Sequence, residues 1–211
     1  MSAEHTTLPA KDALDRLKVG NLRYVQNVRS VDSMLSHSRR ENLLQPQTPF
    51  AIVLGCSDSR APAEIVFDQG LGDLFVIRVA GNIVAPSQVG SVEFAAERFG
   101  TRLVVVMGHT NCGAIQAAVE SLVGEQQPAS QNLMSIVNRV RPNIQALVST
   151  ELVRDPPRLA REAMRANVRA SVSHLRHGSE VLERLAHSGG LAVVGAELDL
   201  ATGEVLFFDD L

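Results

Sequence analysis

Ala51-Ile52-Val53-Leu54-Gly55-Cys56-Ser57-Asp58-Ser59-Arg60 is the stretch on which the reading of this chain turns. Residues 50–54 form a short apolar run between Pro49 and Gly55, the pattern of a buried strand. Past Gly55 the residues turn reactive, with a thiol, a carboxylate and a guanidinium at alternating positions. In an extended segment that spacing puts all three on one side of the backbone. A second stretch repeats the plan. Leu103-Val104-Val105-Val106-Met107 is again strand-like, Gly108 comes next, and then His109-Thr110-Asn111-Cys112-Gly113. Two apolar strands, each ending in glycine and each delivering ligand-type side chains, predict one shared site.

Outward from these stretches the chain alternates. Residues 62–68 read as the start of a helix, with Pro62 in its first turn. Residues 73–80 read as a strand closed by Gly81-Asn82, and 87–99 as a helix that Gly100 ends. Residues 101–107 make the next strand and 113–123 the next helix. Such alternation predicts an α/β fold, a mainly parallel central sheet flanked by helices. Sites in such sheets lie beyond the carboxyl ends of strands, where both clusters fall. Further on, 131–148 is helical with a break at Pro142, and 158–186 is one long helix that Gly178 bends. Residues 191–200 and 204–208, joined by Ala201-Thr202-Gly203, predict a C-terminal edge hairpin. Before the core, 11–28 is an amphipathic helix weakened by Gly20, and 32–44 a second short helix. Two leading helices without a strand of their own to cover suit a neighbouring subunit, so residues 1–45 are expected to form a helical arm packing on a partner. With no internal repeat or linker, the 211 residues are expected to be a single domain.

Composition narrows the function. A net charge of −3, with no basic run interleaved with aromatics, argues against nucleic-acid binding. No apolar stretch approaches the ~20 residues that span a bilayer, and residues 1–9 lack the apolar centre of a secretion signal. The expectation is a cytoplasmic protein with no membrane partner. Two cysteines allow neither a disulfide framework nor a four-cysteine zinc module. In a reducing compartment they read as reactive or metal-bound.

Cys56, His109 and Cys112 make a three-ligand set for Zn²⁺, which favours thiolate and imidazole in tetrahedral geometry. No third cysteine exists to close the shell, so the fourth position is expected to hold water, as in a catalytic zinc. Two thiolates cancel the formal charge of the metal, so its water is acidified less than on zinc with neutral ligands. A carboxylate at Asp58 can orient that water. It can also bind zinc itself, in a closed, inactive state, unless Arg60 holds it away through a bidentate pair. A non-catalytic zinc or thiol-redox protein would also use Cys56 and Cys112, but it leaves Asp58 and Arg60 without a task.

The three motifs Cys56-Ser57-Asp58-Ser59-Arg60, Arg78-Val79-Ala80-Gly81-Asn82 and Gly108-His109-Thr110-Asn111-Cys112-Gly113 resemble the β-class carbonic anhydrases. The resemblance is close over 47–119 and looser over the hairpin 193–208. It implies reversible hydration of CO₂ to bicarbonate and a proton through zinc-bound hydroxide. Cys56, His109 and Cys112 would be the zinc ligands, and Asp58 with Arg60 the catalytic dyad. It also implies substrate contacts from Gln47, across a subunit interface, and from Phe75, Val79, Phe94 and Gly113. Phe94 stands where plant-type members often carry Tyr. The expected partners are CO₂ and bicarbonate and further copies of the chain, as a dimer or tetramer with sites at the interface. Hydrolysis of carbonyl sulfide or carbon disulfide on the same scaffold is the alternative. A bacterial subgroup of the family binds inhibitory bicarbonate between a Trp, an Arg and a Tyr. Here Val53 takes the Trp position, Trp is absent, and the sole tyrosine is Tyr24, so Arg78 is left without aromatic partners. The inhibitory pocket is therefore expected to be missing, with Asp58 staying on Arg60 at neutral-to-basic pH.

Overall fold

The computed structural model describes residues 8–30, 44, 47–124, 130–208 and 211. Five strands form one sheet: β1 (Ala51–Gly55), β2 (Leu74–Arg78), β3 (Leu103–His109), β4 (Ala192–Leu198) and β5 (Val205–Phe207). Their order is β2-β1-β3-β4-β5, parallel throughout except for the antiparallel β4/β5 hairpin at the edge. The fold is α/β with a mainly parallel sheet. The helices are α1 (Ala10–Val25), α2 (Ala63–Val66), α3 (Pro86–Arg98), α4 (Gly113–Val123), α5 (Gln131–Ile144), α6 (Pro156–His177) and α7 (Glu180–Ser188). No helix among the described residues is long and apolar enough to cross a membrane.

Period-2 alternation divides the central strands between two cores. Ile52, Leu54, Val104, Val106 and Val193 face a core shared with α3 to α7. Ala51, Val53, Leu103, Val105, Met107 and Val194 face the other, closed by α1 and α2. β1 and β3 are thus buried on both faces, which is why they read as continuous apolar runs. Each fully buried Val, Leu or Ile side chain contributes roughly 1.5–3 kcal/mol, so these two strands are firmly fixed. They are also the strands between which the chain reverses its direction of travel: β1 leads outward to β2, and β3 leads outward to β4. A crevice opens at the carboxyl ends of such a pair.

Several expectations shift in detail. Gly55 ends β1 as expected, paired with Arg78, whereas Gly108 does not end its strand: it forms a rung opposite Glu197, and β3 runs on to His109. Gly108 is needed for space: a Cβ there would stand 2.5 Å from Met164 Sδ and 2.7 Å from Val168 Cγ2, because α6 crosses the strand at this point. The long helix expected over 158–186 is two. Ser179 caps α7 through its hydroxyl, which accepts from the Leu182 N–H, and this local bond competes with continuation of α6. α6 starts earlier than expected, at Pro156, with the Asp155 side chain as its cap. Pro142 does not interrupt α5. It lies in the last turn, where it forgoes the one bond its nitrogen cannot donate, and the helix runs on to Ile144.

The leading helix folds back on its own chain. Ala13, Leu14 and Leu17 are buried in the second core, while Val19 and Leu22 remain exposed. Asn21 donates to the carbonyls of Val66 and Gly203 and accepts from the Val205 N–H, tying α1 to both α2 and the hairpin. The second leading helix expected at 32–44 lies outside the described residues, Leu44 apart.

Candidate metal centre

Three backbone devices bring the three ligand side chains together. Cys56 is the first residue past β1. His109 is the last residue of β3, held in the ladder because β4 continues opposite it to Leu198. Cys112 stands at the N-terminus of α4. Between the last two, Asn111 adopts φ +56, which turns the chain sharply enough for His109 and Cys112 to face one point. Thr110 pins that turn to the hairpin: its N–H donates to Leu198 O, and its hydroxyl accepts from the Leu200 N–H.

The ligand atoms of Cys56, His109 and Cys112 all lie within 4.8 Å of one another, and all three residues are buried. The two Sγ atoms are 4.0 Å apart, and both thiols are free. His109 Nδ1 is 2.8 Å from its neighbour's carbonyl, Thr110 O. A carbonyl only accepts, so Nδ1 carries the proton and Nε2 keeps its lone pair. That Nε2 is buried without a hydrogen-bond partner; among the described residues only the Asn82 amide shares this condition. A buried orphan acceptor is costly unless something binds it. With two sulfurs beside it, the donor set fits a thiophilic metal ion such as zinc.

Electrostatics agree with that reading. Cys56 is brought down to about 4, chiefly by the hydrogen bond from the Cys112 thiol, with help from His109 and from the Gly81 N–H at 3.4 Å. Cys112 is pushed up, because a second thiolate beside the first is repelled and desolvated. Burial presses His109 toward its neutral form, but the Cys56 thiolate and the Thr110 carbonyl outweigh it and raise its pKa. The cluster collects negative charge that a divalent cation would neutralise.

Asp58 and Arg60 meet, though not by the route the spacing suggests. Asp58 to Ala61 form a turn rather than an extended segment: the Asp58 carbonyl accepts from the Ala61 N–H, and Oδ1 accepts from the Arg60 N–H at 2.9 Å. Asp58 is the shortest acidic side chain and closes such turns readily, which overrides the strand geometry. The guanidinium then grips the carboxylate twice, Nε to Oδ1 at 2.9 Å and Nη2 to Oδ2 at 2.7 Å. This pairing holds the Asp58 carboxyl far below the usual carboxylate range. Asp58 Oδ2 nevertheless lies 3.9 Å from His109 Nε2, at the rim of the cluster.

Other parts of the site gave no signal in the sequence beyond their place within motifs. Arg78 donates through Nε to Cys56 O at 3.0 Å and through Nη2 to Asp58 O, so it fixes the backbone that carries both residues. Gly81, at φ +69, presents its N–H to Cys56 Sγ. Asn167, 1% exposed, donates to Gly81 O from behind. A cavity of about 350 Å³ opens beside His109 and Cys112, bounded by Ile115, Pro157 and Arg161. Arg161 and its neighbour Arg165 each hold the buried Glu197 carboxylate at 2.6 Å, opposite Gly108 in the ladder.

The remaining candidates fall in different places. Gly113 is exposed and opens α4 directly after Cys112, and a Cβ there would meet nothing within 4 Å. Val79 comes just after β2 and donates its N–H to Gly55 O, one residue before Cys56. Gln47 is exposed in the segment before β1. Phe75 and Phe94 are not gathered at the thiols within one chain. Phe75 lies opposite Ile52, about 10 Å back along the strands from the Gly55 rung. It clusters with Phe94 (6.3 Å between centroids) and Phe99 (6.0 Å), and Phe94 is 53% exposed. Val53 is fully buried in the second core, and Tyr24 packs against the hairpin turn at Gly203.

The chain is similar to several known proteins. A family model described as carbonic anhydrase matches residues 51–205. A carbonic anhydrase of Mycolicibacterium smegmatis is 38% identical over 189 residues, 90% of this chain and 88% of its own length. Carbonic anhydrase 2 of Mycobacterium tuberculosis is 35% identical over 195 residues, 92% of this chain and 91% of its own. Among solved structures, the β-carbonic anhydrase CafA of Aspergillus fumigatus matches with a TM-score of 0.73 at 24% identity, over 95% of this chain and 90% of that one. A structure of the tetrameric β-carbonic anhydrases of Sordaria macrospora matches with a TM-score of 0.72 at 23% identity, over 80% and 85%. The structural matches establish the fold, and the sequence matches carry more than the fold.

Proposed function

This chain belongs to the carbonic anhydrase family, and from that premise we propose how its residues carry out the reversible hydration of carbon dioxide to bicarbonate and a proton. Cys56, His109 and Cys112 hold zinc. A zinc ion would supply Lewis acidity that lowers the pKa of a water, though less with two thiolates than the ~7 reached with neutral ligands. The single observation that carries this reading is the buried, unpartnered His109 Nε2 standing within 4.8 Å of two thiol sulfurs.

The protein supplies the rest. Thr110 fixes the histidine tautomer so that Nε2 is free to bind. The Gly81 N–H donates to Cys56 Sγ and adds to the larger effect of Cys112 in favouring the thiolate form of that ligand. Asp58 accepts a hydrogen bond from the attacking water and orients it toward CO₂. Arg60 keeps Asp58 ionised and turned aside, so the carboxylate serves as an acceptor and not as a ligand. Val79 and Gly113 border the place where an apolar, linear substrate fits. Bicarbonate then leaves in exchange for water, and the proton passes to buffer.

We extend to this chain the homo-oligomeric habit that the Sordaria macrospora proteins are named for. Gln47, Phe75 and Phe94 then contribute to the substrate pocket of a neighbouring copy, which gives the exposed Phe94 ring a task. Two free thiols and the absence of a membrane-spanning helix among the described residues suit a cytoplasmic enzyme folded as a single domain. The named relatives are carbonic anhydrases, and hydrolysis of carbonyl sulfide or carbon disulfide gains no support from them.

Stopped-flow CO₂ hydration tests the division of labour. Asp58→Asn keeps the shape but gives up the charge and one acceptor. Loss of a positioned proton acceptor lowers kcat by roughly 10²–10⁴. Zinc content should stay at the wild-type level. A variant that keeps wild-type turnover removes Asp58 from the mechanism.

A further inference from the structure

A second cavity lies behind the metal centre rather than in it. It measures about 580 Å³, within the size range of small-molecule sites, and it is an open cleft bordered by faces of α3, α5 and α6, with Arg139 and His174 exposed at its mouth. Its wall is apolar at Val84, Pro86 and Val89. Its polar groups separate into two ends. At one end Arg139 and Asn143 stand a turn apart on α5, beside Asn167 of α6, whose Oδ1 accepts from Asn143 at 3.1 Å. Arg139 forms no ion pair among the described residues. At the other end lie Glu93 and His174, with Gly178 between α6 and α7. Glu93 is fixed there by the buried Ser179 hydroxyl, which donates to Oε1 at 2.6 Å. Asn167 and His174 are seven residues apart on α6, so the two ends are separated by ~10 Å along its axis.

A cation at one end, an anion at the other and aliphatic wall between them define the ligand chemistry. We propose that this cavity is a binding site for an ω-amino carboxylate, a flexible aliphatic chain with a carboxylate at Arg139 and Asn143 and an ammonium at Glu93. An ammonium on the α-carbon lies too close to its carboxylate to reach the far end, so the cation must sit at the far end of the chain, and a simple fatty acid or amine satisfies only one end. The site is joined to the catalytic centre through one residue. The Asn167 amide that borders the carboxylate end donates to Gly81 O, and the N–H of Gly81 donates to Cys56 Sγ.

The experiment is isothermal titration of the purified, metal-loaded protein with 6-aminohexanoate, hexanoate and hexylamine. The expected result is saturable binding of 6-aminohexanoate at one site per chain, with the two single-ended compounds at least ten-fold weaker. Arg139→Ala should weaken 6-aminohexanoate at least ten-fold and leave hexylamine unchanged. Glu93→Gln keeps an acceptor for Ser179 and should do the reverse, sparing hexanoate. Gly90→Leu provides a third variant. Gly90 borders the cavity and a Cβ there meets nothing within 4 Å, so the branch point of a leucine enters freely and its methyl groups project toward the cavity. It should abolish binding. No saturable binding to the wild-type protein, equal affinity for all three compounds, or binding indifferent to Arg139→Ala and Gly90→Leu would each overturn the assignment.

Discussion

Gly20→Ala sets two opposing effects against each other. In an isolated helix the change is favourable by about 1 kcal/mol, because alanine is the best helix former and glycine among the worst. Here the new Cβ would stand 1.9 Å from Phe67 O, a backbone oxygen that cannot swing away as a side-chain tip could. Reaching ordinary contact, at 3.4 Å or more, requires α1 to move by about 1.5 Å from the segment after α2. Asn21 is the next residue, and its three hydrogen bonds run 2.8–3.1 Å to Val66, Gly203 and Val205. A shift of that size breaks them, at roughly 1 kcal/mol each. The propensity gain offsets only a third of this, leaving a net loss of about 2 kcal/mol. For a chain of this size that lowers Tm by roughly 4–8 °C. Since the sequence has no Trp, the melt is followed by far-ultraviolet circular dichroism at fixed protein concentration. Gly90→Ala is the internal control: it is also within a helix, but its Cβ meets nothing within 4 Å, and it should raise Tm. If Gly20→Ala raises Tm as Gly90→Ala does, the close approach of α1 to Phe67 is wrong.

Ser179→Ala removes both the cap on the Leu182 N–H and the bond to Glu93 Oε1, and should cost about 1–2 kcal/mol in urea unfolding; a change below a few tenths would mean that α6 and α7 do not depend on this break. Glu197→Gln leaves Arg161 and Arg165 facing a neutral amide. Both arginines reach solvent, so the loss is kept to about 2 kcal/mol rather than the larger cost of an isolated buried charge, and an unchanged melting curve would refute the clamp.

The parts of the fold that a reader of the sequence can see are those set by local pattern. β1 and β3 announce themselves as unbroken apolar runs because both faces are buried. The hairpin shows in Ala201-Thr202-Gly203. What the sequence hides depends on contacts far along the chain. Gly20 looks like a weak point in a helix until Phe67 is placed against it. Gly108 looks like a strand terminator until α6 crosses it. At the site, Cys56, His109 and Cys112 are legible because their residue types are rare and chemically specific, and Asp58 and Arg60 because they travel in the same short stretch. The supporting bonds from Gly81, Arg78 and Asn167 are not legible, since backbone N–H and C=O groups occur at nearly every residue and only the fold selects which ones matter.

The central claim is that two sulfurs and one imidazole of this chain share a metal ion. Elemental analysis of protein purified without chelator tests it most directly. Close to one zinc per chain is expected in the wild type, with a large loss in Cys112→Ser. A wild-type preparation carrying no transition metal, or a Cys112→Ser variant that keeps its full complement, would contradict it.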